Sequence, residues 1–326
     1  GIYSFVDPGV TSIGFRNTTT GVIYKQNEVM VSGNPEILDS GTDPSYPEQY
    51  SYPVIAQSFI DNCSGEEFTL AVMHLASREF DCSSLGDPDT GDAQGNCNQT
   101  RIASIESITQ WLSGNPTGCI TDRVILMGRV NAWKMEDPLN ALRYRGYTHV
   151  NELTGSDSYT MVTEGENATR DYIFASGSML DLISGGGTWL INSDEPSAVD
   201  YTIGQKSLAQ QDKLYHPGPY RSSDSDPVLA GISFRNFACP PDLNKDLKVD
   251  GFDYALLVGQ FGSSCSCCPS DINRDTDVNG FDYALLVGQY GSTCNGVEIV
   301  SDIDGNIYKV KEIGTRVWMT ENLKVT

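Results

Sequence analysis

The sequence has little of what several functional classes require. It contains no run of 18 apolar residues, so it offers no segment typical of a membrane-spanning helix. Only 21 Lys and Arg residues stand against 43 Asp and Glu residues, which gives a formal net charge of -22. Such a charge argues against binding nucleic acid through a broad basic surface. We therefore expect neither a membrane span nor a nucleic-acid partner.

Common catalytic signatures are also missing. There is no Gly-x-Ser-x-Gly nucleophile turn, no phosphate-binding loop and no zinc-type spacing of Cys and His. The chain has no signal peptide and does not begin with Met. It opens on the strand-like run Gly1 to Phe5, which is typical of a domain interior, so we expect a processed or fragmentary polypeptide.

Cysteine, by contrast, is plentiful. Nine cysteines, with the last five clustered, indicate an oxidising compartment and therefore a secreted, extracellular or cell-surface protein. Cys82 and Cys97 are predicted to close a Gly/Asp-rich loop. Each of two further cysteines precedes a predicted strand, which favours a Cys63–Cys119 bond. Either one disulfide in each repeat or one that joins the ends of the duplicated segment is predicted for Cys239, Cys265, Cys268 and Cys294. Cys267 is predicted to be free or intermolecular.

Two copies of one loop near the C-terminus are the strongest motif. Seventeen of the 24 positions from Asp242 to Cys265 recur identically 29 residues later. Oxygen side chains fill positions 1, 3, 5, 9 and 12 of each twelve-residue loop, and position 7 can offer its backbone carbonyl, a spacing typical of calcium loops. The pattern predicts two Ca²⁺ sites with these ligands: Asp242, Asn244, Asp246, Lys248, Asp250 and Asp253; Asp271, Asn273, Asp275, Asp277, Asn279 and Asp282.

Hydrophobic patterning predicts a mixed fold upstream of the loops. A helix capped by Thr100 lies between two buried strands, at Phe68–Leu75 and Arg123–Gly128, which predicts a parallel crossover. A turn is predicted at Ser32–Pro35. Further strands are predicted at 2–6, 22–25, 52–60, 159–163, 171–175, 188–191 and 228–234, and an amphipathic helix is predicted after each calcium loop.

Several motifs in residues 1–235 resemble secreted bacterial nucleases of the DNase I-like endonuclease/exonuclease/phosphatase superfamily. They are Met73-His-Leu-Ala-Ser-Arg, Gly86-Asp-Pro-Asp-Thr-Gly-Asp with Asn98-Gln-Thr-Arg, Gly128-Arg-Val-Asn-Ala, Arg170-Asp-Tyr-Ile-Phe-Ala-Ser and Ser223-Asp-Ser-Asp-Pro-Val. The resemblance implies two packed sheets flanked by helices and Mg²⁺-dependent phosphodiester cleavage. The family's early Asn strand and metal-binding Glu would lie upstream of Gly1.

By this resemblance, four residues match family site positions: His74, Asn131, Asp171 and Asp224. Two positions depart from the pattern, because Arg129 replaces a family Asp and Ser225 replaces a catalytic His. A guanidinium repels Mg²⁺, and a hydroxyl does not titrate near neutral pH as His does. We therefore expect an inactive site in which Arg129 pairs with Asp171 or Asp224 in place of the cation; Mg²⁺ would be a cofactor only of an active site.

Residues 239–294 resemble dockerins, paired calcium-loop modules that bind cohesins. The resemblance implies a cohesin-like partner, but Gly-Phe occupies positions 10 and 11 in both copies, where dockerins usually carry their recognition pair. Residues 299–326 resemble the start of the Fibrobacter succinogenes major paralogous domain and predict a β-hairpin around Asp304-Gly305.

The combined prediction is an α+β chain of three parts. A partial DNase I-like two-sheet sandwich (1–238) is followed by a dockerin-like pair of calcium loop-helix units (239–295) and a short β tail (296–326). Two functions follow as hypotheses: a non-catalytic extracellular structural or adhesive protein that self-associates by strand addition, or a secreted metal-dependent nuclease. A dockerin-anchored enzyme component is a third.

Overall fold

A computed structural model describes residues 2–9, 20–156, 158–163, 165–199, 204, 206–214, 220–234, 239–244, 246–264, 268–273, 275–294, 299–301, 307–313 and 316–319. The helices are α1 (Asn98–Ser113), α2 (Asp137–Tyr144), α3 (Val150–Thr154), α4 (Leu208–Leu214), α5 (Gly251–Gln260) and α6 (Gly280–Gly288). The strands are β1 (Tyr3–Phe5), β2 (Ile23–Lys25), β3 (Val29–Leu38), β4 (Tyr52–Asp61), β5 (Glu67–His74), β6 (Val124–Arg129), β7 (Tyr147–His149), β8 (Met161–Thr163), β9 (Glu166–Ala168), β10 (Asp171–Ser176), β11 (Ile183–Thr188), β12 (Val228–Ile232), β13 (Ile299–Ser301), β14 (Ile307–Ile313) and β15 (Arg316–Met319).

One large mixed sheet dominates the fold. Its six strands lie in the order β3-β4-β5-β6-β10-β7. Strands β5 and β6 are parallel and are joined through α1, as the sequence predicted, whereas β10 is antiparallel to both β6 and β7. The other described strands form the pairs β1–β2, β8–β9 and β11–β12 and the three-stranded β13–β14–β15. These described strands do not join into the single second sheet that the sequence predicted.

The main hydrophobic core lies between this sheet and the helices. It includes Ile105, Ile108 and Leu112 of α1, the face that the helical spacing predicted. The predicted cap was wrong, because Thr100 lies inside α1 and Cys97 precedes the helix. The Asp87 carboxylate accepts hydrogen bonds from the backbone N–H groups of residues 99 and 100 instead, so the loop that precedes α1 supplies the cap.

Strand β3 corrects the predicted turn at Ser32–Pro35, because the chain continues as a strand through these residues. Gly33 has a φ of +65°. A Cβ at this position would lie 2.1 Å from the carbonyl oxygen of Thr117, and the Asn34 N–H donates to that same oxygen at 3.0 Å. The glycine therefore allows a close approach inside a strand instead of a chain reversal.

Another strand is shifted along the chain. The sequence predicted a strand over Thr188–Ile191, but β11 ends at Thr188. The strand instead uses the glycine-rich stretch 183–188, whose low β-propensity hides it from sequence patterning. Pairing with β12 compensates for this weak local preference.

The disulfides agree with two predictions and correct a third. The Cys82–Cys97 bond is present, and a Cys239–Cys294 bond joins the ends of the duplicated segment. The predicted Cys63–Cys119 bond is wrong, because Cys119 is a buried free thiol. Its sulfur lies 3.3 Å from the hydroxyl of Ser32, a residue of β3. Cys63 and Cys268 are also disulfide-bonded, and Cys267 lies outside the described residues.

The duplicated loops pair with each other in a crosswise manner. The Val249 N–H of the first loop donates to Ser292, which follows α6, at 3.0 Å. The equivalent Val278 N–H of the second loop donates to Ser263, which follows α5, at 2.8 Å. The two valines are fully buried together with Leu257 of α5 and its counterpart on α6. The repeat in the sequence therefore becomes a pseudo-twofold arrangement.

The chain divides into two compact units, one of Gly1–Lys25, Val31–Phe59 and Glu67–Gly231 and the other of Gln26–Met30, Ile60–Glu66 and Ile232–Thr326. The finer division into three modules remains a prediction. In the tail, β13 pairs antiparallel with β14, as predicted for the hairpin; residues 302–306, including its turn, lie outside the described residues. Within the described part of the chain, no helix is long and apolar enough to cross a membrane.

Candidate functional site

Three of the predicted site positions lie in one row across the large sheet. His74 on β5 is in register with Arg129 on β6, and Arg129 is in register with Asp171 on β10. The neighbouring residues Met73 and Tyr172 belong to the main core. Because successive strand residues point to opposite faces, the row lies on the face away from that core.

Gly128 allows the strands to approach closely beside this row. It has a φ of +127°, and a Cβ there would lie 2.0 Å from the carbonyl oxygen of Met73. No side chain fits at that distance, so the glycine of the Gly128-Arg-Val-Asn motif is a packing requirement.

Arg129 pairs with Asp224, one of the two partners that the sequence predicted. Its Nη2 lies 2.8 Å from Oδ2 of Asp224, and its Nη1 lies 3.3 Å from Oδ1. The contact is bidentate, the geometry in which a guanidinium binds a carboxylate most strongly. The arginine side chain is 19% exposed and the aspartate 54%, so solvent reaches the pair mainly from the carboxylate side.

The charges around Arg129 are coupled. Burial lowers the pKa of Arg129, but the hydrogen bond to Asp224 and the charge of Asp171 outweigh it, and the net pKa is raised. Burial also acts against ionised Asp224, yet Arg129 holds the pKa of Asp224 below its usual value. For Asp171, burial dominates and the pKa is raised, although Arg129 partly opposes the shift. The guanidinium thus supplies positive charge beside both carboxylates.

Ser225, where the sequence departs from the nuclease-like motif, belongs to the same group. The Arg129 Nη2 group donates to its Oγ at 3.4 Å, and its hydroxyl partly opposes the rise in the pKa of Asp171 that burial causes. Thr160 donates to Asp171 at 3.4 Å. A hydroxyl can bridge these charges, but it cannot accept and release a proton near neutral pH.

The other two predicted residues have structural contacts. The His74 ring stacks on Tyr52, with ring centroids 4.4 Å apart. Asn131 is buried, has a φ of +57°, and donates from its amide to the carbonyl oxygen of Leu75 at 2.8 Å. Asn131 therefore ties the turn after β6 to the end of β5.

Sequence reasoning missed Asp226 as a structural anchor. Its Oδ1 accepts hydrogen bonds from the backbone N–H groups of Ile191, Asn192 and Ser193 at 3.0–3.1 Å, and its Oδ2 accepts from the Ser193 hydroxyl at 2.6 Å. Burial opposes ionisation, but these donors outweigh it and lower the pKa of Asp226. The available signal was its place in the Ser223–Asp226 motif.

Metal-binding potential differs between the two predicted sites. Among the described residues, no group of three or more His, Cys, Asp or Glu side chains could by itself hold a metal ion. At Arg129, the charge that a cation would supply already comes from the protein. The predicted calcium sites also use ligands other than His, Cys, Asp and Glu side chains, namely the Asn244 side chain and the Lys248 backbone carbonyl.

Both calcium-type loops are closed around a buried carboxylate. Asp253 and Asp282, at position 12, are fully buried. Asp253 Oδ1 accepts from the N–H groups of Leu243 and Asn244 at 2.7 and 3.1 Å, and its Oδ2 accepts from Asp250 at 2.8 Å. Asp282 repeats all three bonds in the second loop.

The first position of the loop concentrates negative charge. Asp242 accepts from the N–H groups of Asp246 and Leu247 at 3.1 and 3.0 Å. Even so, burial raises its pKa above the usual value, and the charges of Asp253 and Asp246 add to that effect. At position 6, Leu247 and Thr276 adopt positive φ angles of 67° and 75°. These residues take the left-handed conformation although neither is glycine.

No family model matches the chain, and no curated protein sequence matches it either. Solved structures of the endonuclease/exonuclease/phosphatase family resemble it. One from Bacteroides thetaiotaomicron has 15% identity and a TM-score of 0.42 over 58% of this chain and 65% of its own. One from Bacteroides vulgatus has 11% identity and a TM-score of 0.42 over 70% of this chain and 75% of its own. The human Nocturnin catalytic domain has 19% identity and a TM-score of 0.37 over 56% of this chain and 61% of its own.

The match thus spans less than two thirds of the first of these relatives. At these identities and scores, the similarity concerns the course of the chain and says nothing about activity. The large mixed sheet with its helices is consistent with the DNase I-like fold that the motifs predicted.

Proposed function

We propose that this chain is a non-catalytic extracellular structural or adhesive protein, built on a nuclease-like scaffold and stabilised by two calcium ions. The observation that supports the proposal most is the bidentate Arg129–Asp224 pair. It occupies the point at which the family pattern would place an Asp and a carboxylate for a divalent cation.

A fixed cation in this position opposes metal-dependent hydrolysis. Its charge is balanced by Asp224 and by nearby Asp171, so a Mg²⁺ ion would have to displace a guanidinium from its partner. The expected proton-transfer partner is also missing, because Ser225 stands in its place. His74 alone does not replace the lost Asp-His pair.

The test is a nuclease assay of the full chain with plasmid DNA and Mg²⁺. We expect no cleavage by the natural sequence. Arg129→Asp with Ser225→His restores the family residues and serves as the gain-of-function arm, while Arg129→Lys keeps the charge and is the matched control. Mg²⁺-dependent cleavage by the natural sequence that is lost in His74→Ala would refute the proposal and favour the secreted nuclease.

The calcium part rests on the two loops. Burial, and to a lesser extent the charges of Asp253 and Asp246, disfavour ionised Asp242; a bound cation would offset this, and oxygen donors recur at equivalent positions in both copies. A module of this size has a small core, and ion binding can supply the missing stability. Calorimetric titration of the full chain with Ca²⁺ should show two ions bound per chain.

Limited proteolysis tests the same idea. A chelator should expose 239–294 to protease before the large sheet is affected. Unchanged protease resistance in the chelator would count against calcium as a structural element.

The proposal also includes self-association by strand addition. Among the described strands, β13 and β15 each pair only with β14, so the outer strands of this small sheet offer edges for pairing. Sedimentation in calcium should show assemblies that are lost when 296–326 are removed. A purely monomeric chain would refute this element, and tight binding of a cohesin would favour the dockerin-anchored alternative.

A further inference from the structure

A cavity of about 810 Å³ lies in the larger unit, beside but separate from the Arg129 group. Four segments line it: residues 93–94, residues 133–136, parts of 158–169 around the β8–β9 hairpin, and Leu190. This volume lies within the range of small-molecule pockets. None of the residues assigned to the nuclease-like site or the calcium loops lines it.

One wall is a preorganised aromatic surface. Trp133 is 41% exposed and lines the cavity. The guanidinium carbon of Arg78 lies 3.9 Å from the centroid of its ring, which covers one face and holds the indole in place. Met135 and Leu190, both exposed, add apolar surface.

A buried carboxylate lies in the same wall. The Glu136 side chain is only 5% exposed, and its Oε1 pairs with Arg78. Its Oε2 has no hydrogen-bond partner among the described residues. Glu136 precedes α2 but makes no side-chain cap to that helix. A buried acceptor without a donor is costly, and a ligand that brings a donor would remove the cost.

The charges select the kind of donor. The charged residues that line the cavity are Lys134, Glu136 and Glu166, so phosphate and carboxylate ligands meet a lining with one more negative than positive group. A cationic ligand is also disfavoured, because the positive charges of Arg78 and Arg101 already stabilise the ionised Glu136 carboxylate. A neutral hydroxyl group can donate a hydrogen bond and is not repelled by either the carboxylates or the arginines.

We propose that this cavity binds a neutral saccharide. The C–H groups of a sugar ring are weakly positive and pack against the electron-rich face of Trp133, while a sugar hydroxyl donates to Glu136. The inference does not depend on the proposed loss of nuclease activity, and it would give an extracellular scaffold a means of adhesion.

The experiment is isothermal titration of the full chain with neutral disaccharides, namely cellobiose, maltose, mannobiose and diacetylchitobiose. Glucose 6-phosphate and n-butylammonium are the charged comparators. Trp133→Ala removes the stacking surface. Trp189→Ala is the matched control, since Trp189 is 61% exposed, adjacent in sequence to Leu190, and absent from the lining. Thermal melts verify that each variant folds.

We expect at least one neutral disaccharide to bind the natural chain and Trp189→Ala equally, and to lose binding in Trp133→Ala. Glu136→Gln should weaken binding about tenfold, the effect of one hydrogen bond to a charged acceptor. The proposal is overturned if no neutral disaccharide binds, if only a charged comparator binds, or if folded Trp133→Ala binds as well as the natural chain.

Discussion

The buried carboxylate at position 12 gives the sharpest test of how the duplicated loops are held together. Asp253→Ala removes an acceptor that receives three backbone N–H groups at 2.7, 3.1 and 2.8 Å in a fully buried position. Each bond to a charged acceptor is worth roughly 1.5–3 kcal/mol. Such terms do not add fully, because freed N–H groups near the surface regain water, so we expect a loss of about 4 kcal/mol.

Asp250→Ala is the matched control on the same helix end. The Asp250 side chain is a half-buried N-cap of α5: it accepts from the Phe252 N–H at 2.8 Å and from the N3 backbone in a capping box. Loss of such a cap costs about 1 kcal/mol. Both variants remove one carboxylate from one loop and differ mainly in the number of backbone bonds that are lost.

Hydrogen exchange of the full chain in calcium measures the difference, since each variant lacks one predicted calcium ligand of the first loop. Peptides covering α5 should lose most of their protection in Asp253→Ala and little of it in Asp250→Ala. Asp282→Ala should repeat the larger effect in α6. If Asp250→Ala exchanges as fast as Asp253→Ala, the convergence of three N–H groups on Asp253 does not determine the stability of the loop.

Two further predictions concern charge and backbone conformation. Asp224 has a lowered folded pKa, so its stabilisation is present above the unfolded pKa of about 3.9 and is lost as the pH falls through the folded pKa. Asp171 has a raised folded pKa, so it lowers the stability as the pH rises from the unfolded pKa of about 3.9 to the folded pKa, and the full loss is present above the folded pKa. In urea at pH 7, Asp224→Asn should therefore destabilise and Asp171→Asn stabilise; the same sign for both would refute the assignment. Thr276→Gly should stabilise the calcium-free chain by about 1 kcal/mol, because a β-branched residue holds a φ of 75°, and a lower melting temperature would contradict this.

Much of the fold follows from local pattern. The apolar spacing in residues 102–112 and the two flanking buried strands predicted the β5–α1–β6 crossover, because burial of one helix face leaves a periodic trace in the sequence. Strand β3 did not follow, since its Gly33 has the signature of a turn. Only the approach of residue 117 shows why a positive φ is used there inside a strand.

The same distinction applies to the site. The sequence alone determined which residue types were present: a guanidinium in place of a carboxylate, a hydroxyl in place of an imidazole, and two copies of an oxygen-rich loop. Tertiary structure decided that Arg129 binds Asp224 in a bidentate manner, and that Asp226 anchors residues 191–193. It also decided that each loop pairs with the segment after the other helix. These contacts join residues 13 to 95 positions apart, and residue pattern carries no record of distances across the folded chain.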